Sequence, residues 1–487
     1  MAVRSECPAG GTDRGHGHWR IKERRAMRAL LWKASDWSAV FGSLWVWAVL
    51  LGVTAVGLSA GRAAELFTLE DCIRRALESN PEIRGQRYGH EAALQEKTKA
   101  RAAYWPSLDA QGLYSRFGEP QRVVPAHANN EPGVFDRDLM DTALIGRLVL
   151  FEGGRRAAAV RAAELGAERA LWDLTATTHD VMLNTASVFY KILQLDQLIR
   201  ATEGSLHALR AQEKLVRDQL DVGRAAPVDL MKIQVRVSSL TQKLSSLRAD
   251  RQVLLVFLGR LMGLDVEERP SFDVSGTLEK PRVSWMAQEE ALREAMDKRP
   301  EKKAAQAAAE TAAQAIRAAR ADHFPQVYAF GRYGLRHGLP YDANDSPGGL
   351  SHEDTWAAGL QVDVPLFRGG AVQAGVRQAE RLHHRAREQL RAVELEIRKD
   401  VEQALTALND ALERTDVTRS AVAVAEETLR IEREKYAAGK NSINDVLDAQ
   451  AALLQAEVEY SQAVMDARIA LMERDRALGR DPGEDLR

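Results

Sequence analysis

This chain carries an internal duplication that dictates its architecture. Residues 151–164 read FEGGRRAAAVRAAE and residues 367–380 read FRGGAVQAGVRQAE, so eight of fourteen positions are identical at a constant offset of 216 residues. A repeat with so long a period indicates two copies of one domain rather than a solenoid of short units. The fold must therefore build the same Phe-x-Gly-Gly corner twice.

Further pairs of similar segments extend the duplication to most of the chain. They are TLEDCIRRALESNPE with AQEEALREAMDKRPE, RAAYWPSLDAQGLYSR with RADHFPQVYAFGRYGLR, and LDVGRAAPVDLMKIQ with YAAGKNSINDVLDAQ. Because the pairs run in the same order, we predict a first repeat over 64–265, a linker over 266–286, a second repeat over 287–481 and a C-terminal tail over 482–487.

Hydropathy patterns give each half one order: helix, proline, helix, strand, loop, strand, Gly-Gly, long helix, glycine turn and helix. In the first half we expect helices over 68–105, strands over about 106–117 and 141–151, a long helix over 152–222 and a helix over 228–262. The copies are expected at 287–322, about 325–336, about 355–367, 368–438 and 444–478.

Each predicted strand has an apolar and a polar face. Leu108 and Tyr114, for example, lie on the face opposite Asp109 and Gln111. A strand of about ten residues crosses a bilayer when it is tilted. Isolated hairpins are marginally stable, and equivalents from other subunits would close them into a barrel without edges. A pair of hairpins on an ordinary sheet is the alternative.

The long helices carry a seven-residue repeat, which is typical of supercoiled helix packing. Apolar residues and one threonine recur at this spacing: Leu174, Val181, Val188, Leu195, Thr202, Leu209 and Val216. A single helix over 152–222 would span about 105 Å. The sequence therefore predicts a rod rather than a globule.

The N-terminal segment over 1–63 resembles an export signal. Arg24, Arg25, Arg28 and Lys33 precede an uncharged stretch over 39–60, and small residues follow it. The stretch is nearly long enough for a membrane anchor, which is the alternative. The chain carries a formal charge of −2, and its mildly acidic body gives no reason to expect a nucleic-acid partner.

Motifs for catalysis and cofactor binding are missing from the sequence. There is no P-loop, no HExxH and no paired-cysteine site, so we expect no enzyme activity, no cofactor and no metal site. The neighbouring His383 and His384 point to different faces of a helix, which disfavours a two-histidine site. Cys72 is expected to be a small buried apolar residue.

The duplicated order of helix, hairpin and long helix behind an export signal resembles the TolC-like outer-membrane efflux protein family. The similar segments include LEDCIRRALESNPEI, LFEGG, PLFRGG and YAAGKNSINDVLDAQ. The resemblance implies a mainly α fold with a small β part, in which duplicated long helices form an α-barrel. Four membrane strands per protomer would close a twelve-stranded β-barrel in a homotrimer.

The resemblance also implies a function. Such proteins are passive conduits from the periplasm to the exterior in tripartite efflux or type I secretion systems of Gram-negative bacteria. Their partners are a periplasmic adaptor (membrane fusion) protein, an inner-membrane pump of the RND, ABC or MFS type, and outer-membrane lipid. Two rival hypotheses stay open from the sequence: an inner-membrane-anchored periplasmic coiled-coil adaptor, and a soluble coiled coil.

A periplasmic gate is implied at the second glycine turn. Asp445 and Asp448 match an acidic pair that lines the family's constriction, and threefold symmetry would make each a ring of three carboxylates that selects cations. Their alternative roles are a favourable charge at a helix N-terminus and a solvated side chain. Tyr436 and Asp229 match a pair that locks the aperture by a hydrogen bond. Asn441 replaces a family arginine, so the lock is weaker or uses Lys440 instead.

Two further sets of residues complete the prediction. The expected adaptor-facing turns contain Gly223, Arg224, Gly439 and Lys440. The expected joints between membrane strand and tunnel helix contain Gly153, Gly154, Gly369 and Gly370.

Overall fold

The computed structural model describes residues 65–124, 134–223, 225–264, 272–338 and 352–482, which belong to one unit, Ala64–Arg487. Several predicted features lie outside the described residues: the N-terminal extension, Arg224, linker residues 266–271 and tail residues 483–487.

Helices and strands follow the same order in both halves. The first half contains β1 (Glu65–Phe67), α1 (Leu69–Ser79), α2 (Pro81–Ala102), β2 (Ser107–Val124), β3 (Val134–Phe151), α3 (Arg155–Asp221) and α4 (Pro227–Leu261). The second half contains β4 (Phe272–Val274), α5 (Gln288–Lys298), α6 (Pro300–Ala321), β5 (Gln326–Gly338), β6 (His352–Asp363), α7 (Ala371–Ala437) and α8 (Ile443–Leu478). The long helices α3 and α7 each have 67 residues, and α2 and α6 each have 22. The predicted fold class, mainly helical and duplicated, is confirmed.

Each half fastens the end of its last helix to the break between its first two. Asn80 and Arg299 stand at these breaks. Each precedes a proline, which disfavours the helical conformation at the residue before it. Asn80 Nδ2 donates to the carbonyl of Leu261 at 2.9 Å. Arg299 Nη1 donates to the carbonyl of Ala477 at 3.4 Å. The duplication thus preserves a contact as well as an order of elements.

The helix α3 packs against α2 and α6 with its first half and against α4 and α8 with its second half. Arg101 of α2 pairs with Glu164 at 2.7 Å, and Arg251 of α4 pairs with Asp196 at 2.6 Å. Pairs of shorter helices therefore run end to end beside one helix of about 100 Å. Among the described residues, no helix is both long and apolar enough to cross a membrane.

The largest apolar core lies midway along the helices, where α1, α3, α4 and α8 meet. Its buried members include Cys72, Phe189, Ile192, Leu258 and Met472. The short strands β1 and β4 pair in parallel beside it, and Phe272 of β4 packs into it. This core joins the first residues of the described chain to the start of the second half.

Cys72 should resist alkylation in the folded protein. Its side chain is fully buried, and this burial, with smaller contributions from Asp71 and Glu70, raises the thiol pKa to about 12. Because the thiolate is the nucleophile, a Cys7→Ser chain should not react with iodoacetamide at pH 8 and should react fully in guanidinium. Mass spectrometry measures both reactions. Native labelling at the rate of the unfolded chain would contradict this packing.

The four longer strands form one antiparallel sheet in the order β2-β3-β5-β6. One register row crosses all four strands through Ala110, Leu144, Tyr333 and Trp356. Rows on the opposite face carry polar and charged residues, among them Asp109, Gln111, Asp141, Arg332, Arg336 and Glu353. The sheet therefore has one apolar and one polar face.

The strands of the first hairpin are longer than predicted. They contain 18 residues each, whereas the sequence pattern suggested 106–117 and 141–151. Pairing shifts register between Arg116 and Gln121 and then continues to the end of β2. Backbone N–H and C=O groups form the hydrogen-bond ladder, so polar side chains do not end a strand. Pro120, which has no N–H, falls in the irregular stretch where the ladder needs no donor.

Two boundaries in the second half also differ from the prediction. The last strand was expected over 355–367 and ends at Asp363. Pro365 follows, and it has no N–H to donate to the ladder. The following helix starts three residues later than predicted because Gly369 and Gly370 have positive φ, which is incompatible with a right-handed helix.

Candidate functional site: the helical tip and the strand-to-helix joints

The reversals from α3 to α4 and from α7 to α8 lie together at one end of the protomer, which we call the helical tip. Gly223 and Gly439 have φ of 75° and 69°, a region that favours glycine. One apolar cluster packs the two reversals together, with buried members Val216, Ile233, Leu429, Ile443, Val446 and Ala449. Lys440 is exposed at the second reversal.

Asp445 belongs to the N-terminal cap of α8. The backbone N–H and the hydroxyl of Ser442 both donate to Asp445 Oδ2 at 2.8 Å. These two hydrogen bonds hold the pKa of the Asp445 carboxyl below its usual range. Asp445 therefore forms a capping box with Ser442, and its charge lies at the helix N-terminus, as one of the two alternatives from the sequence has it. Asp448, one turn further along, is exposed.

Tyr436 bonds to a residue that the sequence did not suggest. Its hydroxyl donates to Gln219 Oε1 on α3 at 3.4 Å, not to Asp229. Asp229 lies in the first turn of α4, where a carboxylate is favoured by the helix N-terminus. Burial raises the pKa of Tyr436, and the nearby Asp229 charge adds to this. The hydrogen bond between Tyr436 and Gln219 therefore joins the helical hairpin α7–α8 to the helical hairpin α3–α4, and both of its groups are neutral.

Asn441 ties the second reversal to α7. Its Nδ2 donates to the Glu432 carboxylate at 2.6 Å and to the Glu432 carbonyl at 3.1 Å. Lys435 also pairs with Glu432 at 2.7 Å, and these two partners lower the pKa of that carboxyl. Asn441 thus links the second reversal to α7 within one protomer. It does not bridge Asp445 and Asp448 as an arginine side chain could.

Sequence reasoning missed Gln219, Glu432 and Ser442 at the tip. Ser442 could have been found, because a serine three residues before an acidic residue is a capping pattern. Gln219 and Glu432 gave no local signal, because their partners lie on another helix or nine residues away.

The strand-to-helix joints bring four predicted glycines to the two Gly-Gly corners. All have positive φ: 62° at Gly153, 86° at Gly154, 59° at Gly369 and 81° at Gly370. A Cβ on Gly153 would lie 2.8 Å from Phe324 Cβ and 2.9 Å from the carbonyl oxygen of Ala321. The first joint is therefore packed against the entry to β5. The other three glycines have open space around them within the protomer.

Alanine at the two positions of the first joint should have unequal effects. Gly154→Ala adds backbone strain of about 1–2 kcal/mol, because φ is positive and the surroundings are open. Gly153→Ala adds the same strain and also a collision with backbone, so we expect it to lose at least about 1 kcal/mol more. Denaturant unfolding in detergent measures both. Equal losses would refute the close packing at Gly153.

The described geometry defines a class of protein: a duplicated helical rod that carries a two-faced antiparallel sheet at one end. A family model described as outer membrane efflux protein matches residues 72–264 and 291–480. The chain belongs to the outer membrane efflux protein family. Its place is therefore the outer membrane of a Gram-negative bacterium, with a long periplasmic extension.

Two characterised proteins are similar to this chain in sequence over most of its length. The outer membrane protein TolC of Escherichia coli (strain K12) is 23% identical over 449 residues, which cover 90% of this chain and 87% of TolC. The alkaline protease secretion protein AprF of Pseudomonas aeruginosa is 24% identical over 412 residues, which cover 82% and 81% of the two chains.

The fold is shared with a solved outer-membrane protein. The crystal structure of the outer membrane protein VceC from Vibrio cholerae superposes with a TM-score of 0.68 at 20% identity, covering 85% of this chain and 96% of that chain. Together with the family match, these likenesses confirm the channel hypothesis. The alternative of an inner-membrane-anchored adaptor is wrong, because the family and fold are those of outer-membrane efflux channels.

Proposed function

We propose that this protein is the outer-membrane channel of a tripartite efflux or type I secretion system, a passive trimeric conduit with a gate at its helical tip. The observation that carries the proposal is the combination of a sheet with one apolar face and a rod of about 100 Å built on duplicated helices. The apolar face suits contact with outer-membrane lipid, and the polar face suits a water-filled lumen. A conduit of this kind acts without catalysis.

The sheet supports a trimer. Its outer strands β2 and β6 each have one edge that pairs with no other described strand. Such edges invite pairing with another chain. Three copies would supply twelve strands and close the sheet into a barrel in which no edge remains open.

The helices support the same assembly. α4 packs on α3, α3 packs on α8 and α8 packs on α7, so α4 and α7 are the two ends of this row of helices. Both carry exposed apolar residues at helical or heptad spacing: Val228, Met231 and Val235 on α4, and Val417, Val424 and Ile431 on α7. Val417, Val424 and Ile431 recur every seven residues, which is the spacing of a coiled-coil seam. We assign these two stripes to the contact between neighbouring protomers.

A carboxylate in this stripe should prevent assembly. Val424 is 67% exposed in the protomer, so Val424→Glu should fold and then place a charge in the apolar seam between subunits. We expect a monomer by light scattering in detergent. Arg419→Glu is the matched control, because Arg419 is exposed on α7 and lies off the stripe. A trimeric Val424→Glu protein would refute the assigned seam.

The proposed gate contains Asp445, Asp448, Tyr436, Asp229 and Asn441. In a trimer, Asp445 and Asp448 would each form a ring of three carboxylates, and such rings bind and select cations. Both are exposed within the first two turns of α8, at the reversal where the pore would be narrowest. The hydrogen bond from Tyr436 and the Asn441 contact to Glu432 support a closed arrangement held by links within each protomer.

Removing the gate charges should change conduction. We expect Asp448→Asn to keep the fold, whereas Asp445→Ala also weakens the cap of α8 by about 0.5–2 kcal/mol. We expect Asp448→Asn to weaken block by multivalent cations, and the Asp445→Ala, Asp448→Ala double variant to abolish block and raise single-channel conductance. Planar-bilayer recording measures both. A double variant that conducts and is blocked like wild type would refute the gate assignment.

The helical tip is the proposed docking surface for the periplasmic adaptor, which would connect the channel to an inner-membrane pump of the RND, ABC or MFS type. Gly223, Gly439 and Lys440 lie at this end, and the predicted contact residue Arg224 follows Gly223 in the sequence. The name of the relative AprF, an alkaline protease secretion protein, supports a role in protein secretion as one form of this function. Photocrosslinking in cells from position 440 would capture the adaptor.

A further inference from the structure

The offset between the two halves transfers contacts as well as positions. The helix α6 starts 219 residues after α2, and α7 starts 216 residues after α3. Arg101 of α2 pairs with Glu164 of α3 at 2.7 Å, and the residues at these offsets, Arg320 and Glu380, pair at 3.0 Å. We call residues that these offsets relate repeat positions. A contact in one half therefore predicts a contact between the repeat positions in the other half.

One contact of the helical rod has no counterpart inside the protomer. The helices α2, α3, α6 and α7 form a row, in which α3 packs on α2 and α6, and α6 packs on α7. The contact of α3 with α6 joins the two halves. Its counterpart would join α7 to an α2 helix, but α2 and α7 are the two ends of the row. A second copy of the chain can supply the missing α2.

Burial along these helices shows where a neighbour is missing. Ala304 and Ala307 of α6 are buried, whereas their repeat positions on α2, Gly85 and Tyr88, are exposed. The same difference separates two buried residues of α3 from their repeat positions on α7: Ala158 from Ala374, and Leu165 from Arg381. The faces of α2 and α7 that correspond to the contact between α6 and α3 are therefore uncovered in the protomer.

The charges on these uncovered faces are complementary. Arg161 of α3 pairs with Glu310 of α6 at 3.7 Å. Their repeat positions are Arg377 on α7 and Glu91 on α2, so the same two residue types recur in both places. Arg377 and Glu91 are exposed, and neither makes an ion pair within the part of the chain that the structure describes.

A second pair of repeat positions shows the same complementarity in a different form. Lys303 of α6 lies over the ring of Trp172 of α3, with 4.4 Å between Nζ and the ring centroid. The repeat positions are Arg84 on α2 and Glu388 on α7. Both are exposed and lack an ion pair to any described residue. A cation on an aromatic ring inside the protomer thus corresponds to two opposite charges on its outer faces.

The second Gly-Gly corner lacks a cover that the first corner has. Phe324, which follows α6, covers Gly153 of the first corner, whereas Gly369 at the repeat position has open space around it. The repeat position of Phe324 is Trp105, which follows α2 and is 79% exposed. An α2 helix that packed on α7 would therefore bring its Trp105 to Gly369, as α6 brings Phe324 to Gly153.

We propose that α2 of the next subunit packs on α7 as α6 packs on α3 within the chain. Glu91 of the next subunit then pairs with Arg377, and its Arg84 pairs with Glu388. Its Trp105 covers the second Gly-Gly corner. The two contacting faces differ, and the contact closes a ring of three copies. This inference rests on the proposed function, and it names the residues through which one copy completes the next.

The charges on the two helices fix how α2 lies along α7. Arg84 and Glu91 are seven residues apart, which is about two helical turns. A slide of α2 by this distance would place Arg84 opposite Arg377, and like charges repel. Complementary charges of this kind select a register and a partner more than they add affinity. Two copies of this chain therefore match in one alignment.

Charge reversal tests the pairing of Glu91 with Arg377. Glu91→Arg places two arginines together in each of the three contacts, so we expect the trimer to dissociate about tenfold faster in detergent at low salt. The difference should shrink in about 1 M NaCl, which screens exposed charges. The Glu91→Arg, Arg377→Glu double variant should return to nearly the wild-type rate, because it restores the pair with its charges exchanged. A double variant as unstable as the two single changes combined would overturn the pairing.

Glu96→Arg is the matched control for charge. Glu96 is exposed on α2, and its repeat position on α6, Ala315, is exposed although α6 packs on a helix at each side. This position therefore lies off both contacts, and the Glu96→Arg trimer should dissociate at the wild-type rate. If Glu96→Arg and Glu91→Arg speed dissociation equally, net charge explains the effect and the assigned pair is wrong.

Alanine at the second corner tests the place of Trp105. Gly369 and Gly370 both have positive φ and open space within the protomer, so alanine strains the backbone similarly at either position. We expect Gly369→Ala to speed trimer dissociation more than Gly370→Ala does, because Trp105 of the next subunit fills the space beside Gly369. Equal rates of dissociation would contradict this cover.

A disulfide identifies the neighbour directly. A Cβ at the first corner would lie 2.8 Å from Phe324 Cβ, and a small shift reaches the roughly 3.8 Å of a disulfide. In a Cys7→Ser chain, the Trp105→Cys, Gly369→Cys pair should form linked dimers and trimers with copper–phenanthroline as oxidant, read on a nonreducing gel. Buried Cys72 will not compete. Crosslinks confined to single chains would overturn the assignment.

The outcomes separate this contact from the proposed function. A wild-type protein that is monomeric in detergent and inactive in planar bilayers would refute the trimeric conduit itself. A stable conducting trimer that forms no disulfide between subunits and tolerates the charge reversal would refute only the contact of α2 with α7.

Discussion

The pairing of β3 with β5 is the contact on which the rest of the molecule depends. It runs from Leu139 paired with Gly338 to Phe151 paired with Val327, and it joins the hairpin of one half to the hairpin of the other. Two separate hairpins would be marginal, but four strands in one register share an apolar face. The same pairing fixes which edges stay open and brings α3 beside α6 at the foot of the sheet. The sheet therefore joins the two copies of the duplicated unit.

The sequence predicted the parts of the fold that depend on short-range rules. The Gly-Gly corners, the proline breaks and the seven-residue spacing each state a backbone conformation or a packing face, and the structure has them in the predicted order. Strand length was underestimated because backbone pairing continues past Arg116 through residues whose side chains do not alternate. Alternation reports which face is buried, and it says little about how far a ladder extends.

The helical tip was predicted less completely because its contacts join distant segments. Asp445 lies three residues from Ser442, so its capping role is a local property. Tyr436 and Gln219 are separated by 217 residues, and only the packing of α7 on α3 brings them together. Asp229 is near enough for its charge to influence the pKa of Tyr436, but Gln219 takes the hydrogen bond. The resemblance to the family located Tyr436 and Asp229 at the helical tip, but it did not identify Gln219 as the hydrogen-bond partner of Tyr436.

The two joints differ in a way that affects biogenesis. Phe324 covers the first Gly-Gly corner from within the same chain, whereas the second corner has open surroundings. The adjoining Leu366 and Phe367 are 92% and 88% exposed in the protomer. Large exposed apolar side chains promote aggregation until something covers them. A newly exported chain therefore exposes more apolar surface at its second corner than at its first, and we expect assembly with other copies or insertion into lipid to cover it.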